Sequence, residues 1–474
     1  MNDSPPDHPY PEHVASILPL NPITIEPPPS DARWRPPLRR VPNTAADSPS
    51  SEIAAGIVSF RSELGLPIQG PVIMSGHQPG FWHAGILAKV FAVQAAAERT
   101  GAFPAWVVVD HDPESPMDLR FPTAAWEERT LAFATPNRLT PPSALPPWNG
   151  DPAASSSALI AEPIRRAVDS VVAAMRLNAA ATDLSSQATR ATADLLSAAD
   201  LPDSSIRNAV TATRIATTSL VRAIVADWSH LAHARACIAA YNAAAERYPD
   251  AGIRPLASTA SDVELPLWHL DNRTTRARVM WSDLARGTTQ PLVPKALLMT
   301  MLLRLAGCEL FVHGLGGGNY DRVMEAWVAA WKPDFLLAPS AVVSATVLLN
   351  VPGMPPPSTS KAAARAAWRA HAASHSPDLL NDAAASEAKQ AGLREVAALK
   401  GNKLERRAAY RRMHTALTEY RSRHAAALAA LARDADTASA SSATDGPAAD
   451  RTWPWMLHPR PALAALNQSI ADAF

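Results

Sequence analysis

Short apolar runs, glycine-rich turns and helix-length stretches follow one another in the region 71–110. The pattern predicts a strand over 71–75, a glycine loop over 76–80, a helix over 83–99 and a second strand over 105–110. A strand, a loop, a helix and a strand within about forty residues form a βαβ unit. Because both strands are apolar along their whole length, they are typical of a parallel sheet that is covered on both faces.

The same order of elements returns in the later part of the chain. It predicts a helix over 297–305, a strand over 308–313, a glycine loop over 314–318, a helix over 319–331 and a strand over 335–338. The residues between the two regions change from proline-rich to alanine-, serine- and threonine-rich, with helical spacing of Ile164, Val168 and Val171. The predicted fold class is therefore α/β, a split Rossmann-like parallel-sheet core interrupted by a mainly helical insertion.

The two ends of the chain differ from this core in composition. The first 50 residues hold 13 of the 44 prolines, so we expect a mostly extended arm there. Alanine-, arginine- and glutamate-rich stretches are interrupted near Gly401, which predicts a C-terminal helical hairpin or coiled coil, and an apolar cluster at 453–457 is expected to dock on the core. The predicted organisation is an arm (1–50), a first half of the core (51–122), the insertion (123–290), a second half of the core (291–360), the hairpin (361–433) and a linker with a docking tail (434–474).

Charge and cysteine content exclude several classes of protein. The chain has 44 basic and 44 acidic residues, so no global field attracts it to nucleic acid or to an anionic membrane. Two cysteines, Cys237 and Cys308, cannot build a disulfide framework, and a reducing cytoplasm is the expected compartment. The N-terminus lacks the pattern of a secretory signal, and Arg304 and Glu309 interrupt the most apolar window. We expect a cytoplasmic protein that binds small molecules rather than membranes or nucleic acid.

The first glycine loop is a candidate ligand-binding segment. It contains Gly76, His77, Gln78 and Gly80, and His83 follows at the predicted start of the helix. Loops at the carboxyl ends of parallel strands bind ligands in open α/β sheets, and the first amides of a helix favour an anion. Many strand-to-helix turns are glycine-rich for structural reasons alone, and the sequence leaves both interpretations open. The loop matches neither the dinucleotide-binding nor the P-loop pattern.

Asp110, His111 and Asp112 directly follow the second predicted strand and form the candidate catalytic segment, with Glu114 beyond them. Ionisable residues are costly at the end of a buried strand unless they meet a ligand or a cation. A carboxylate could orient the imidazole, which could then act as a base. Two alternatives stay open, namely a metal site and an Asx turn that closes the loop before Pro113.

A third candidate segment follows the strand predicted over 308–313. Its candidate substrate-binding residues are Gly316, Gly317, Gly318, Asn319 and Tyr320. Backbone amides of a glycine loop can cradle phosphates, and the polar side chains after it can contact hydroxyl groups. A further feature is the basic stretch 400–424, which could meet RNA or a negatively charged partner. Such a stretch is more often a solvated helix face or an intersubunit coil that pairs with acidic residues.

The three candidate segments, in this order, resemble the family of bacillithiol biosynthesis cysteine-adding enzymes. The first loop of that family is matched here by Gly76, His77, Gln78, Pro79, Gly80, Gly85, Leu87 and Lys89. Its second motif resembles 106–112, and its apolar helix before a glycine loop resembles 292–304 followed by 314–320. This sequence departs from the family at His77, at Val109 and in the third loop, which lacks the family's carboxylate.

The resemblance implies a Rossmann-like core of the class I nucleotidyltransferase type and a helical coiled coil that mediates a homodimer. The implied activity is that of a carbon–nitrogen ligase, which adds cysteine or a similar amino acid to the amine of a glucosaminyl-malate-like acceptor in low-molecular-weight thiol biosynthesis. Asp110, His111 and Asp112 would orient the amine and move its proton. The sequence leaves open whether ATP or ADP takes part, and it indicates no metal site. The alternative function is a non-catalytic nucleotide- or sugar-binding scaffold with a helical oligomerisation arm.

Overall fold

The chain divides into two compact units. The first is Met1–Val351 together with Arg451–Phe474, and the second is Pro352–Asp450. The computed structural model describes residues 14–16, 22–26, 51–113, 117–123, 128–134, 140–150, 162–271, 275–349, 368–399, 402–442 and 450–473. Most of the predicted N-terminal arm and Glu114 therefore lie outside the described residues.

Twelve strands are found in the described part of the first unit. In chain order they are β1 (Val14–Ser16), β2 (Pro22–Glu26), β3 (Val72–His77), β4 (Phe103–Val108), β5 (Asp118–Pro122), β6 (Glu128–Ala132), β7 (Ala209–Thr211), β8 (Glu264–Asp271), β9 (Thr275–Met280), β10 (Leu292–Pro294), β11 (Leu310–His313) and β12 (Ser340–Ala345).

Helices of the first unit cover both faces of its largest sheet, and further helices build the second unit. In chain order they are α1 (Ser51–Leu64), α2 (Ala84–Thr100), α3 (Glu162–Leu177), α4 (Leu184–Ala198), α5 (Ser204–Arg207), α6 (Ala212–Ala216), α7 (Ser219–Asp227), α8 (Leu231–Arg247), α9 (Trp281–Ala285), α10 (Ala296–Leu302), α11 (Leu315–Trp331), α12 (Ala383–Ala398), α13 (Lys403–Arg423), α14 (Ala425–Ser442) and α15 (Arg460–Ala473). Among the described residues, no helix combines the length and the apolar character that a bilayer span requires.

Seven strands form the central sheet in the order β1-β2-β12-β11-β3-β4-β7. The five strands from β12 to β7 are parallel, whereas β2 joins β12 and β1 joins β2 antiparallel. The protein is thus a mixed α/β protein with a five-stranded parallel core. From β3 the chain moves outward to β4 and β7, and then it returns to β11 on the other side of β3. The strand order therefore reverses between β3 and β11, which is the topological switch point where open α/β sheets bind ligands.

Alternate residues of the central strands enter two separate apolar cores. Val72 and Met74 pack with helices α1, α8, α10 and α11, whereas Ile73 and Trp106 pack on the other face with α2 and α15. Full burial of an aliphatic or phenylalanine side chain contributes about 1.5–3 kcal/mol, so residues such as Phe91 of α2 hold the layers together. The unit β3, α2 and β4 confirms the first predicted βαβ unit, with its strands in parallel register.

The segment 123–290 is not only helical. It supplies β7 to the central sheet, and it contains β8 and β9, which form a small antiparallel sheet with β10 in the order β10-β8-β9. The β7 strand is short, and its sequence Ala209–Thr211 carries too little apolar patterning to predict a strand. The parallel pairing with β4 makes it one.

Two predicted elements near the second βαβ unit were wrong in position. The strand predicted over 335–338 lies instead at Ser340–Ala345, because Pro339 cannot donate to a ladder and the β-branched Val342 and Val343 follow it. The predicted glycine loop 314–318 is the start of α11, which begins at Leu315. Packing of the apolar face of α11 on the core outweighs a cost of about 1 kcal/mol for each glycine in a helix.

The second unit contains a helical hairpin. Helices α12 and α13 pack against each other, with Met413 on Gly392 and with Leu417 and Tyr420 buried. The Tyr420 hydroxyl donates to the carbonyl of Ala373 at 2.6 Å. A third helix, α14, extends to Ser442, so the linker predicted from residue 434 begins later than expected.

In the first unit, the apolar cluster 453–457 packs on the core as the sequence predicts. Trp453, Trp455 and Leu457 are buried, and the Trp455 amide donates to the Trp82 carbonyl at 2.7 Å. The two cysteines, Cys237 and Cys308, are also buried.

Candidate functional site

The three candidate segments lie at one edge of the central sheet. Each follows one of the parallel strands β3, β4 and β11, and the registers align His77 with Val108 and Phe311 with Met74. The Val109 amide donates to the His77 carbonyl at 3.0 Å, which joins the first two segments directly. The predicted ligand-binding loops therefore meet at the carboxyl edge, on both sides of the switch point.

The carboxylate of Asp112 connects the first loop with the small antiparallel sheet. Gln78 Nε2 donates to Asp112 Oδ2 at 3.1 Å, and Arg276 Nη2 lies 3.0 Å from Asp112 Oδ1. Arg276 belongs to β9, a strand that the sequence did not predict. Three distant parts of the chain thus converge on a single carboxylate at the switch-point edge.

Lys89 is a buried amine between the first and third segments. Its Nζ donates to the Gly76 carbonyl at 2.6 Å and lies 5.2 Å from the centre of the Trp106 ring. A Cβ atom on Gly314 would lie 3.7 Å from Lys89 Cδ, so the side chain also borders the start of α11. Burial lowers the pKa of Lys89 to about 7, which leaves the amine partly neutral near neutral pH. The sequence held a signal for this residue, since only seven lysines occur in the chain and this one interrupts an apolar helix.

The two histidines of the first segment have structural contacts. Burial, followed by the positive charge of Lys89, lowers the pKa of His77 to about 3, so its imidazole is neutral. Its ring contacts the Trp82 ring edge-on, with a centroid distance of 6.1 Å. His83 caps α2, because its Nδ1 accepts a hydrogen bond from the Gly85 amide at 3.1 Å.

Asp110 joins the end of β4 to helix α6. It is 2% exposed, and its carboxylate accepts hydrogen bonds from the Thr213 amide at 3.0 Å and from the Thr213 hydroxyl. Burial raises the pKa of Asp110 to about 6, while the bonds from Thr213 oppose that rise. Thr213 explains why the carboxylate is tolerated at a strand end, and it comes from a segment that the sequence analysis did not connect with this edge.

His111 is buried beside Asp112, close to its own backbone and to that of Pro294. It is 2% exposed, and within the described residues neither ring nitrogen forms a hydrogen bond of normal geometry. Burial, together with the charge of Arg276, lowers the pKa of His111 to about 4, and the Asp112 carboxylate opposes this only in part. Burial therefore outweighs the effect of the Asp112 carboxylate, and the imidazole is neutral.

A cluster of charges around Trp268 adjoins Asp112, and we refer to it as the Trp268 cluster. Its cations are Lys295, whose Nζ lies 4.4 Å from the indole centre, and Arg276, whose guanidinium lies 5.2 Å away. Lys295 Nζ also donates to Glu264 Oε1 at 2.6 Å. Burial lowers the pKa of Lys295, and the hydrogen bond to Glu264 opposes the shift. Glu264, Trp268 and Arg276 come from the unpredicted strands β8 and β9, whereas Lys295 precedes α10 in the stretch 292–304 of the resemblance.

The third segment is built differently from the prediction. Gly316, Gly317 and Gly318 belong to the first turns of α11 instead of a free loop, and Asn319 and Tyr320 follow in the same helix. A Cβ atom on Gly317 would lie 2.5 Å from His313 Nδ1, so glycine is needed there for a close approach.

Beneath this turn lies a closed network of charges. Asp321 Oδ2 accepts from Arg304 Nη1 at 2.5 Å and lies 3.3 Å from His313 Nε2. Burial alone would raise the pKa of Asp321, but His313 and Arg304 outweigh it and hold the pKa below the usual value. Burial raises the pKa of Tyr320 to about 12, and its ring meets that of His313 edge-on. Within the described residues, Asp321 Oδ1 and His313 Nε2 form no hydrogen bond of normal geometry, so the Arg304–Asp321 pair is the main contact of this network.

The arrangement offers acid–base groups but no preformed metal cage. Among the described residues, no group of three or more histidine, cysteine, aspartate or glutamate side chains could hold an ion. What the edge does present is a carboxylate held by Gln78 and Arg276, a neutral imidazole at 111 and a buried amine at 89. Such a set can bind an ammonium group and accept a proton from it. Comparison of this chain with models of protein families and with curated proteins gives no match.

Proposed function

We propose that this protein is a carbon–nitrogen ligase that joins the carboxyl group of cysteine, or of a similar amino acid, to the amine of a glucosaminyl-malate-like acceptor. The observation that carries this proposal is the position of Asp112, a carboxylate at the carboxyl edge of the central sheet that Gln78 and Arg276 hold from two sides. A carboxylate fixed in this way suits the ammonium form of an amine substrate. The sequence resemblance of the three segments supports the choice of amino acid and acceptor.

Each step of such a reaction has a candidate residue. The amine must lose a proton before its nitrogen attacks the carboxyl carbon, and the leaving group departs as the amide bond forms. His111 lies beside Asp112 with a neutral imidazole, so it is the proposed proton acceptor. Lys89 holds the first loop through the Gly76 carbonyl and keeps it against the start of α11.

The fold supports an activated-carboxyl mechanism of the class I nucleotidyltransferase type. Its two βαβ halves meet at the switch point between β3 and β11, where that class of core would bind a nucleotide. Amide formation from a free carboxylate needs activation, which ATP would supply as a substrate.

The helical unit is proposed to mediate a homodimer. Its described helices leave apolar side chains in solvent, including Leu404 at 81% and Tyr410 at 51% exposure. Burying them against a second copy would remove this apolar surface from water. Sedimentation equilibrium should then give twice the mass of one chain, and a compact monomer at all concentrations would rule out the dimer.

A non-catalytic binding scaffold is the second candidate function, and two observations favour it. Asp110 is engaged with Thr213, and the carboxylate of Asp321 is enclosed with Arg304 instead of facing the edge. A scaffold would still bind the amino-sugar conjugate, but it would not form an amide.

The decisive experiment incubates the full chain with cysteine and glucosaminyl-malate, with and without ATP, and follows the conjugate by mass spectrometry. We expect product, and a loss of at least about 100-fold in Asp112→Asn, since a charged hydrogen bond to substrate is removed. Asp169→Asn, on the exposed side of α3, is the matched control and should keep full activity. Binding of glucosaminyl-malate without product under either condition would support the scaffold instead.

A further inference from the structure

The charge of the chain is unevenly distributed. Between residues 361 and 433 there are 14 basic and 6 acidic residues, whereas the rest of the chain has 30 basic and 38 acidic residues. The two excesses cancel, so the neutral total conceals a basic segment within the helical second unit. A regional excess of basic residues is typical of a surface that binds an acidic partner.

The charges of helix α13 lie on different sides of the helix. At 3.6 residues per turn, six residues fall within an arc of about 100°, and we call them the basic face: Lys403, Arg407, Tyr410, Arg411, His414 and Arg421. The two carboxylates of the helix, Glu405 and Glu419, lie on the other side. A solvated helix face commonly alternates charges of both signs, whereas the basic face presents cations without carboxylates.

Three cations of the basic face have no carboxylate partner. Lys403, Arg407 and Arg411 are exposed, and none of them forms an ion pair within the part of the chain that the structure describes. Other arginines differ, since Arg412 pairs with Glu395 in the same unit. The unpaired guanidinium groups keep their donors for phosphate oxygens, which arginine can bind in a bidentate manner.

Aromatic rings lie between these cations. The Tyr410 side chain is 51% exposed, and the centre of its ring lies 4.3 Å from that of His414. Further along the helix, Arg421 Nη2 lies 3.1 Å from His375 Nδ1, which adds another exposed imidazole beside the face. Exposed rings next to cations are the groups on which unpaired bases stack in complexes with single-stranded nucleic acid.

We propose that the basic face binds single-stranded RNA, with Arg407 and Arg411 on neighbouring phosphates and Tyr410 stacked on a base. The face from Lys403 to Arg421 is about 27 Å long at 1.5 Å per residue, which is enough for several nucleotides of an extended strand. The face shares no residue with the Asp112 edge, so the inference is independent of the proposed ligase activity.

Other occupants match the basic face less well. An acidic protein would neutralise the cations, but it has no bases to stack on the Tyr410 ring. A second copy of this chain would place like charges against each other. We therefore expect the contact of the proposed homodimer to lie at Leu404 and to leave these cations uncovered.

Fluorescence anisotropy on the full chain tests the proposal, with a labelled single-stranded RNA of mixed sequence as the probe. We expect the RNA to bind, and the dissociation constant to rise at least tenfold in Arg407→Gln/Arg411→Gln. The slope of log K against log salt concentration should become shallower by about 1.4, since each phosphate contact in a single strand contributes about 0.7. The matched control is Arg394→Gln/Arg412→Gln, which removes two arginines of the same unit that are already paired with Glu387 and Glu395 and should bind as the wild type does.

A second variant distinguishes RNA from a polyanion without bases. Tyr410→Ala should weaken RNA binding at least fivefold, because the stacked base loses its aromatic support. Its affinity for heparin, which has no bases, should stay at the wild-type value. All of these positions are exposed, so the variants should fold, and their thermal midpoints verify this.

Three results would overturn the proposal. One is unchanged RNA affinity in a folded Arg407→Gln/Arg411→Gln protein, and another is an equal loss in the control, which would mean that net charge alone decides binding. The third is unchanged RNA affinity in Tyr410→Ala, which would mean that the face binds polyanions without contacting bases. These measurements follow binding and not product, so a failed ligase assay leaves them interpretable.

Discussion

The segments after β4 and after β11 occupy equivalent places at the same sheet edge, yet their carboxylates have different kinds of partners. After β4, Asp112 reaches Gln78 of another loop and Arg276 of another sheet, and the neighbouring His111 keeps both ring nitrogens without a normal hydrogen bond among the described residues. After β11, Asp321 pairs with Arg304 beneath the first turns of a helix. Asp321 and Arg304 form an enclosed pair, although Asp321 Oδ1 and His313 Nε2 also form no normal hydrogen bond among the described residues. Asp112 is instead shared by two distant parts of the chain.

Burial explains why the two carboxylates differ. The side chains of Arg304 and Asp321 are 3% and 4% exposed, so neither charge can turn to solvent and each needs the other. The side chains of Arg276 and Asp112 are 20% and 15% exposed, so water shares in their solvation. In the proposed reaction, the substrate ammonium group would therefore lose less hydration on approaching Asp112 than it would on approaching the enclosed Asp321.

The largest effect on the unfolding free energy is expected from breaking the Arg304–Asp321 pair after β11. Arg304→Met leaves the buried Asp321 carboxylate without its guanidinium partner, and loss of one member of a buried pair costs about 3–5 kcal/mol of unfolding free energy. Urea denaturation followed by tryptophan fluorescence measures it. The double variant Arg304→Met/Asp321→Leu removes both charges and should regain most of the loss. A single variant as stable as the wild type would contradict the assignment of this segment to stability.

The next effect concerns the segment after β4. His111→Gln should lower turnover in the ligase assay by about two to four orders of magnitude, the usual contribution of a positioned acid–base group. Its unfolding free energy should change by less than about 1 kcal/mol, because the ring nitrogens make no normal hydrogen bond to lose. His233→Gln, on the exposed side of α8, is the control. A folded and fully active His111→Gln protein would remove His111 from the mechanism.

A smaller effect is expected on the pH dependence of the unfolding free energy, through the titration of Asp110. Its pKa is raised to about 6 in the folded protein, whereas an unfolded aspartate titrates near 3.8. Above pH 6 the ionised carboxylate therefore costs stability, and this cost disappears as the pH falls from 6 towards 4, because the folded state takes up the proton first. Relative to Asp110→Asn, the wild type should gain roughly 2–3 kcal/mol between pH 8 and pH 4.5. Urea titrations at several pH values measure the gain, and parallel curves for the two proteins would refute it.

The smallest effect tests whether the glycines after β11 serve the helix or a ligand. Gly316 is exposed and a Cβ atom there would meet nothing within 4 Å, so Gly316→Ala should stabilise the protein by up to about 1 kcal/mol. Gly317→Ala should destabilise it instead, because the added atom would clash with the His313 ring. Thermal midpoints of the two proteins give the comparison. Loss of product formation in a stabilised Gly316→Ala protein would indicate instead that this turn contacts a ligand.

Apolar patterning was enough to predict the core elements around the switch point. The runs before Gly76 and Asp110 identified β3 and β4, and the stretch between them identified α2. The predicted boundaries of elements were wrong where local sequence signals conflicted with packing. Gly316 and Gly317, for example, were predicted to lie in a loop but belong to α11. The positions of Asp110, His111 and Asp112 at the carboxyl edge of the sheet followed from their place directly after the predicted strand β4.

The sequence alone located the ends of β3, β4 and β11, because strand periodicity and glycine turns are local properties, but it missed β7 and misplaced β12. Only the tertiary structure decided which of those residues have partners. Thr213 reaches the edge because the short strand β7 before it pairs with β4. Arg276 and Lys295 reach it because β8 pairs with β9 and with β10. The sequence patterns of these strands are weak. Burial then set the protonation of Asp110 and His111. Desolvation depends on everything packed around a group, and that surrounding is assembled from residues far apart in the chain.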